Sequence, residues 1–373
     1  MNHHPLKGTD DAKSVKKSRI AVALSGGVDS SVVAALLVEA GYDVVGVMMR
    51  LWAACLPAPT AAAANRCCTP EAVEVSRQVC ALLDIPFHLV DFAEPFRRLV
   101  VEPFCAEYAA GRTPNPCVVC NRFIKFDALL RWALDAGAQA LATGHYARTY
   151  GDDGTRYHLL RGLDTAKDQS YMLHRLGQRE LRHVMFPLGE LTKPQVREMA
   201  RARGLPAANR PESQEICFVP GRDYRDFLRE RAPDAFQPGP IVHLDGRLLG
   251  QHAGLPAYTV GQRGGLGIAW AHPLYVIRLD PASNTLVVGP DEALWQRDVL
   301  MADVTYMAGE PSLGPIRVTA RLRYQAPAAP AILEPLSDAR ARLTFDEPQR
   351  AVTPGQAAVC YVGDEVLGGG TIA

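Results

Sequence analysis

The fold is decided by residues 19–52, which read RIAVALSGGVDSSVVAALLVEAGYDVVGVMMRLW. The stretch opens with a β-rich run, RIAVAL, and passes through the glycine turn SGGVDS into the helical sequence SVVAALLVEAGY. It closes with a second β-rich run, DVVGVMMRLW. Two such strands joined by a crossover helix form the βαβ unit from which parallel sheets are built. The opening of the chain therefore predicts an α/β fold.

The rest of the chain predicts two further domains. Helix-like and strand-like segments keep alternating through FHLVDF, FDALLRWALDAG and QALATGHYA, which extends the parallel sheet with flanking helices. After about Gly221 the segments become short and are interrupted by glycine and proline, and beyond about Asn284 strand-like runs dominate, as in TLVVG and AAVCYV. We predict a disordered leader over 1–18, a nucleotide-binding catalytic domain over 19–222, a small central domain over 223–285 and a C-terminal β-barrel over 286–373.

Composition narrows the class of protein. The longest unbroken apolar run, Val32–Val38, is far shorter than the ~20 residues of a membrane-spanning helix, and the first 17 residues are polar. We therefore expect a cytoplasmic protein with no membrane partner. Nine cysteines, an odd number spread unevenly over 373 residues, favour reduced thiols over a disulfide framework.

The charge of the chain is balanced, with 40 basic and 40 acidic residues. Binding to nucleic acid would therefore need a local basic face. Two segments suggest one: residues 175–203 carry seven basic and three acidic side chains, and the run IRVTARLRY alternates basic and apolar positions. The run IRVTARLRY could instead be an ordinary solvated strand face.

Residues 25–31, SGGVDSS, predict an anion-binding turn. The glycines would let backbone N–H groups approach a phosphate at the N-terminus of the following helix. The turn is neither of the common nucleotide motifs, since no lysine follows the glycines and the G-x-G-x-x-G spacing is absent from it. Taken alone, it could also be a tight turn in which Asp29 or Ser30 caps the helix.

Two cysteine segments are candidates for chemistry. Cys117 and Cys120 form a CxxC pair inside TPNPCVVCN, and Cys217 lies much later in SQEICFV. Sulfur transfer needs one thiol that carries a persulfide and a second that releases the sulfur, and attack at sulfur leaves a disulfide. Cys217 and Cys120 could form such a pair. A CxxC pair could also be a redox pair, half of a zinc site or buried hydrophobic packing.

SGGVDSS resembles the signature of the N-type ATP pyrophosphatases, the PP-loop family, which cleave ATP between its α and β phosphates to adenylate an oxygen. The chain as a whole resembles the tRNA-specific 2-thiouridylase family over nearly its full length. The resemblance is carried, in order, by TPNPxxxCN, ATGHYA, KDQSYML, ICF, TVGQRGGLGI and PGQAAVCY.

This resemblance implies an activity. The family uses ATP and Mg²⁺ to adenylate the C2 oxygen of the wobble uridine in tRNA, and sulfur then replaces AMP to give 2-thiouridine. It implies Cys217 as the persulfide carrier and Cys120 as the catalytic nucleophile. It also implies two partners, the anticodon stem-loop of tRNA and a sulfur donor such as a cysteine desulfurase or a sulfur-relay protein.

The resemblance also implies two sets of binding residues. The implied ATP contacts are Ala23, Leu24, Ser25, Gly26, Gly27, Val28, Asp29, Ser30, Met49 and Gly144. The implied contacts with tRNA or its target base are Asn115, Pro116, Cys117, His145, Lys167, Asp168, Gln169, Arg323, Tyr324 and Gln356. From its residue type alone, His145 could instead be a core histidine.

The sequence departs from the common family pattern at Cys117, where aspartate is usual. A third thiol near Cys120 allows another sulfur source, because thiolates are the usual ligands of iron–sulfur clusters. Cys117, Cys120 and Cys217 could ligate a [4Fe–4S] cluster whose fourth iron binds sulfide.

Two rival functions remain open on sequence. Another PP-loop enzyme could form an amide or a C–N bond, although that chemistry gives the cysteine pair no role. A non-catalytic RNA-binding or metal-sensing protein could retain the fold, and it would release no pyrophosphate from ATP. The other cysteines are expected to be buried small hydrophobic side chains. They are Cys55, Cys67, Cys68, Cys80, Cys105 and Cys360.

Overall fold

The structure is a computed structural model that describes residues 18–51, 69–152, 156–211, 216–219 and 223–373. The predicted leader up to residue 17 lies outside these residues, as do Cys55, Cys67 and Cys68. No helix in the described part of the chain is long and apolar enough to cross a membrane.

Two compact units make up the protein. The first is drawn from residues up to 94, 122–170 and 176–214, and the second from 95–121, 171–175 and 215–373.

The first unit is built on a five-stranded parallel sheet, in the order β3-β2-β1-β4-β7. β1 lies at its centre and pairs with β2 from Arg19–Asp43 to Leu24–Met48. β5 and β6 pair as an antiparallel hairpin and are not part of the parallel sheet. The five strands β3, β2, β1, β4 and β7 confirm the predicted parallel sheet. Their bounds are β1 Arg19–Leu24, β2 Asp43–Arg50, β3 Phe87–Asp91, β4 Ala140–Ala142, β5 Ala147–Asp152, β6 Arg156–Arg161 and β7 Val184–Met185.

Nine α-helices lie in the described residues. They are α1 Val28–Glu39, α2 Pro70–Leu82, α3 Ala93–Phe96, α4 Glu102–Ala109, α5 Pro116–Cys120, α6 Leu130–Asp135, α7 Gln178–Leu181, α8 Lys193–Ala202 and α9 Tyr224–Arg231. π-helical segments join α3 to α4 over Arg97–Val101 and α5 to α6 over Asn121–Leu129. Short 3₁₀ turns cover Ser170–Leu173, Pro233–Ala235, Leu255–Ala257 and Asp291–Leu294.

α1 is buried over most of its surface. Val32, Val33, Ala34 and Ala35 are fully buried in the core of the first unit. A helix that is apolar on most of its faces is stable when other elements cover it. This burial fixes the N-terminus of α1 at the carboxyl end of β1.

The second unit contains two β-structures. A four-stranded sheet has the order β10-β11-β8-β9 and packs around residues such as Ile241, Val276 and Val288. The sequence suggested strands mainly beyond Asn284, so this sheet begins earlier than expected, at Gly239. Its glycine and proline residues hid the strand pattern. The strands are β8 Gly239–His243, β9 Leu248–His252, β10 Tyr275–Asp280 and β11 Thr285–Gly289.

The predicted C-terminal barrel is confirmed. Six strands pair in the order β12-β15-β14-β13-β16-β17, and β17 also pairs with β12, which closes the sheet. In β13, Val318 and Ala320 face the core while Arg317 is exposed, as the alternating pattern predicted. The strands are β12 Trp295–Tyr306, β13 Ile316–Arg321, β14 Ala329–Pro335, β15 Ala341–Arg350, β16 Ala357–Val362 and β17 Glu365–Ile372.

Candidate active site

The SGGVDS loop lies where β1 ends at Leu24 and α1 begins at Val28. Gly26 has a φ of +70°, and a Cβ there would lie 2.7 Å from the carbonyl oxygen of Ala72. Gly27 is the N-cap of α1 and has no side chain with which to cap the helix. Since Asp29 lies inside α1, the alternative in which Asp29 or Ser30 caps the helix is wrong. The first backbone N–H groups of the helix are therefore available to an anion.

Hydroxyl groups hold the loop in shape. Ser30 Oγ accepts a hydrogen bond from the backbone N–H of Ser25 at 3.2 Å and donates to the carbonyl of Gly27 at 3.2 Å. Ser31 Oγ donates to the same carbonyl at 2.9 Å. These bonds fix the loop before any ligand arrives.

The other residues implied as ATP contacts belong to the same end of the sheet. Ala23 and Leu24 end β1, Met49 is the next-to-last residue of β2, and Gly144 follows β4 by two residues. The carboxyl ends of parallel strands share one edge, where ligands of open α/β sheets bind. A Cβ at Gly144 would lie 2.9 Å from Asp29 Cβ, so only glycine allows this close approach. Their contact with ATP remains a prediction.

Two residues that sequence reasoning missed hold Asp29. Lys193 Nζ lies 2.7 Å from both carboxylate oxygens of Asp29, and the Tyr146 hydroxyl donates to Oδ1 at 2.9 Å. Tyr146 stands inside the quoted motif ATGHYA, which was a usable signal. Lys193 carried no such signal, because 164 residues separate it from Asp29.

The three candidate cysteines lie in the second unit. Asn115 caps α5 by accepting a hydrogen bond from the backbone N–H of Val118 at 3.3 Å. Along this helix, Cys117 is exposed and Cys120 is buried. Cys217 is half-buried, and the next residue, Phe218, is buried within an aromatic cluster.

The TPNPCVVCN segment is anchored within its unit. Asn121 Nδ2 donates to the carbonyl of Met172 at 3.0 Å, and Asn115 Nδ2 contacts the sulfur of the same methionine at 3.8 Å. Gln356 Nε2 donates to the carbonyl of Thr113 at 2.9 Å. Gln356, implied as a tRNA contact, therefore also holds the start of the cysteine segment.

Several other implied tRNA contacts have internal partners. Asp168 is buried and accepts hydrogen bonds from the backbone N–H groups of Gly162 and Ser170. Gln169 exchanges two hydrogen bonds with the backbone of Tyr146. Lys167, beside them, is half-buried. We therefore assign Asp168 and Gln169 a role in shaping their loop, and their contact with tRNA remains a prediction.

His145 is buried between the rings of Phe126 and Phe186, and its Nδ1 lies 2.7 Å from Thr143 Oγ1. Burial, with a smaller contribution from the positive charge of Lys125, holds the pKa of His145 well below its usual range. The side chain is therefore a neutral core histidine in this structure.

On the barrel, Arg323 is exposed and donates through Nη2 to the carbonyl of Ala351. The ring of Tyr324 lies 6.0 Å from that of the buried Tyr171. Both residues lie beyond the end of β13 and not within it.

The basic segment 175–203 is partly used inside the protein. Lys193 pairs with Asp29, Arg203 pairs with Glu39 at 2.6 Å, and Arg175 donates to Thr371 Oγ1 at 2.8 Å. These three charges have internal partners, so the segment is a weaker phosphate-binding surface than its composition suggested.

A cavity of about 610 Å³ is lined by Arg263 and residues 265–274, which lie in the glycine-rich stretch just before β10. Trp270 in this segment stacks with His243 at 5.5 Å between ring centroids, and the Arg247 guanidinium lies 4.8 Å from its ring.

A metal or cluster site can be tested against the side chains present. In the part of the chain that the structure describes, no group of three or more His, Cys, Asp and Glu side chains is placed to hold a metal ion. Cys117, Cys120 and Cys217 therefore do not form a ready ligand set for a [4Fe–4S] cluster. A Mg²⁺ ion bound to ATP needs only one or two carboxylates besides the phosphates, and Asp29 can supply one.

Comparison with known families first gives the class of protein. Residues 18–221 match the tRNA methyl transferase HUP domain, residues 225–290 the tRNA methyl transferase PRC-barrel domain, and residues 296–372 the aminomethyltransferase beta-barrel domain. The first match and the SGGVDS loop together define a PP-loop nucleotide-binding domain of the HUP type.

Whole-chain relatives give the particular family. A tRNA-specific 2-thiouridylase of Moorella thermoacetica is 52% identical over 352 residues, which cover 94% of this chain and 98% of the relative. The 2-thiouridylase of Roseiflexus castenholzii is 50% identical, and the match covers 95% of this chain and 99% of the relative. The 2-thiouridylase of Chloroflexus aggregans is 52% identical, and the match covers 95% of this chain and 98% of the relative. The chain belongs to the tRNA-specific 2-thiouridylase family.

Proposed function

We propose that the protein is an ATP-dependent tRNA-uridine 2-sulfurtransferase that converts the wobble uridine to 2-thiouridine. The observation that carries the proposal is an uncapped helix N-terminus at SGGVDS in a chain that also holds Cys120 on an anchored helix. Family membership supports the same activity, because relatives that match almost the whole chain carry the name 2-thiouridylase.

The first step is activation of the base. The C2 oxygen of uridine attacks the α-phosphorus of ATP, the α–β bond breaks, and pyrophosphate leaves. A carbonyl oxygen is a poor leaving group until it carries AMP, so this step makes replacement by sulfur possible. The N–H groups at the start of α1 bind the phosphates. The Asp29 carboxylate would hold a Mg²⁺ ion bound with ATP, and that ion would neutralise part of the phosphate charge.

The second step transfers sulfur. The terminal sulfur of a persulfide on Cys217 attacks C2, and AMP leaves with the former C2 oxygen. The Cys120 thiolate then attacks the Cys217 sulfur, and the electron pair of the broken S–S bond passes to the sulfur on the base. The products are 2-thiouridine and a Cys120–Cys217 disulfide, which an external thiol reductant reduces. A cysteine desulfurase or a sulfur-relay protein supplies the persulfide sulfur.

Other described cysteines are poor candidates for these roles. Burial raises the pKa of Cys80 to about 11 and that of Cys360 to about 12, and it also raises the pKa of Cys105. A thiol with a raised pKa carries little thiolate at neutral pH, and the thiolate is the nucleophile. This argument sets Cys80, Cys105 and Cys360 aside, and Cys105 serves as a control.

Recognition of the base falls to the segment before Cys120. The wobble base must leave the anticodon stack before an enzyme can act on its C2 atom. Asn115, Pro116 and Cys117 lie on the anchored turn that begins α5, and we assign them contact with the extruded base. The other contacts with tRNA that we propose rest on the family resemblance alone, and they are His145, Lys167, Asp168, Gln169, Arg323, Tyr324 and Gln356.

The test is a direct assay for the product. The full-length protein is incubated with ATP, Mg²⁺, cysteine, a cysteine desulfurase, a thiol reductant and unmodified tRNA, and the digested tRNA is analysed for 2-thiouridine by mass spectrometry. We expect product with the wild type, a loss of at least about 10²-fold in Cys120→Ser and Cys217→Ser, and near wild-type product in Cys105→Ser.

Three results would count against parts of the proposal. Pyrophosphate release without thiolated RNA would indicate another PP-loop chemistry. Full product from Cys217→Ser would remove the persulfide role of that residue. Product that appears only after anaerobic reconstitution with iron and sulfide would replace the persulfide by a cluster-bound sulfide.

A further inference from the structure

The nucleotide loop contains no lysine, yet the fold brings one to it. Lys193 Nζ makes hydrogen bonds of 2.7 Å to both carboxylate oxygens of Asp29, the second residue of α1. Only 8% of the Lys193 side chain is exposed, so the ammonium group is held at the loop and not in solvent. A buried lysine is costly unless its charge is paired, and Asp29 provides the pairing.

Hydrogen bonds hold the backbone of Lys193 in place at the start of α8. Lys193 is the first residue of α8, and its N–H donates to Asp164 Oδ2 at 2.9 Å. The preceding residue, Thr192, donates hydrogen bonds from its N–H and its hydroxyl to Gln195 Oε1, at 2.8 and 2.9 Å. The flexible four-carbon stem of a lysine can then move its charge over several ångströms without moving the helix.

Asp29 does not depend on Lys193 alone. The Tyr146 hydroxyl also donates to Asp29 Oδ1, at 2.9 Å, and about a third of the Asp29 side chain is exposed. The carboxylate would therefore keep a donor and partial hydration if Lys193 moved away. Such an arrangement lets the lysine exchange one anion for another at small cost.

We propose that Lys193 is a further nucleotide-binding residue, which pairs with Asp29 in the free protein and turns to the β- and γ-phosphates when ATP binds. The inference rests on the proposed function only in that ATP occupies the SGGVDS loop. A polyphosphate carries several negative charges against the single charge of Asp29, and it attracts the ammonium group more strongly. Lys193 thus supplies the cation that other phosphate loops carry within their own motif.

Direct binding to the full-length protein tests this without any turnover. Isothermal titration calorimetry compares ATP, inorganic pyrophosphate and AMP, all in EDTA so that no divalent cation takes part. We expect Lys193→Met to weaken the binding of ATP and pyrophosphate roughly tenfold or more, as loss of a charge-assisted hydrogen bond does. AMP, which lacks the β- and γ-phosphates, should bind within about twofold of wild type.

A matched control removes the same charge from the same helix. Arg201 is an exposed residue in the last turn of α8. Arg201→Met should leave the binding of all three ligands within about twofold of wild type. Thermal unfolding of each variant shows whether the fold is intact.

Asp29→Asn supplies a second and opposite test. If Asp29 competes with phosphate for Lys193, removal of its charge should tighten pyrophosphate binding by about threefold or more in EDTA. Adding Lys193→Met should abolish that gain. If Lys193 had a purely structural role, any gain in Asp29→Asn would come from lost repulsion between Asp29 and pyrophosphate, and it would persist after Lys193→Met is added.

Two outcomes would overturn the inference. One is unchanged pyrophosphate binding in a folded Lys193→Met variant, and the other is an equal loss of AMP and ATP binding. If Lys193→Met does not fold, the absence of a gain in Asp29→Asn overturns it. Failure of the proposed function gives a result distinct from failure of this inference. In that case the wild type would bind ATP through Lys193 and still produce no 2-thiouridine.

Discussion

At the scale of single residues, His145 shows how burial changes what a side chain can do. The ring lies between Phe126 and Phe186 and contacts the hydroxyl of Thr143. Its pKa is held well below the usual value near 6.5, chiefly by burial. A neutral ring can accept or donate one hydrogen bond, but it cannot offer a positive charge to an RNA phosphate at physiological pH. A contact of His145 with tRNA would therefore have to be neutral.

The lowered pKa makes a prediction about stability. Below pH 6.5 the unfolded chain binds a proton at this histidine while the folded chain does not, so the free energy of unfolding falls as the pH falls. The slope from one such group approaches about 1.4 kcal/mol per pH unit. His252, whose pKa burial also lowers, acts in the same direction. Urea unfolding of the wild type and of His145→Gln between pH 7.5 and 5.5 measures the slope.

His145→Gln should flatten this slope and keep part of it, since His252 remains. The contact with Thr143 can persist, because glutamine also offers a donor and an acceptor. An identical pH dependence in the wild type and in the variant would show that folding does not lower the pKa of His145.

At the scale of elements, the short segment that carries Cys217 depends on one aromatic anchor. Phe218 is buried and packs edge-to-face on Phe104 at 5.2 Å and on Phe96 at 5.7 Å between ring centroids. It also meets Phe227 of α9 at 5.5 Å. Since Cys217 is the neighbouring residue, this cluster determines where its sulfur can lie.

Phe218→Leu should loosen that segment. We expect a loss of roughly 1–3 kcal/mol in the free energy of unfolding, from the smaller side chain and the space it leaves. We also expect thiolation to fall severalfold with ATP binding unchanged. Phe345→Leu is the control, because Phe345 is fully buried in the barrel core and far from Cys217 in sequence. Equal loss of thiolation in both variants, assayed where both are folded, would contradict a specific role for the anchor.

The same scale shows what the sequence could predict. β1, α1 and β2 were predictable because their signals are local: an apolar run, a glycine turn and a long apolar helix. β4 is shorter than the run QALATGHYA suggested, and Gly144 beyond it closely approaches Asp29. In the sheet β8–β11, the run TLVVG predicted β11, but β8, β9 and β10 were missed because Pro240 and nearby glycines interrupt the pattern. Lys193 was missed because only the folded chain brings it to Asp29.

At the scale of the whole molecule, the balance of 40 basic and 40 acidic residues limits how tRNA can be bound. Long-range attraction needs a net charge or a large basic surface. In the segment with the strongest basic composition, Lys193 and Arg203 are ion-paired with Asp29 and Glu39. Affinity for tRNA should therefore come from a few local phosphate contacts together with contacts to the extruded base.

This argument predicts a shallow dependence of tRNA affinity on salt. Each phosphate contact contributes about −0.7 to −0.9 to the slope of log K against log salt, so a handful of contacts gives a slope of roughly −2 to −4. Fluorescence anisotropy with labelled tRNA in increasing KCl measures it. Arg323→Gln should reduce the magnitude of the slope by about 0.7 to 0.9, as expected for one lost phosphate contact. Arg340→Gln, an exposed barrel residue near Asp338, should not change it. A slope steeper than about −6 would instead require an extensive basic surface. The basic and acidic residues, although equal in number, would then lie on different parts of the protein surface.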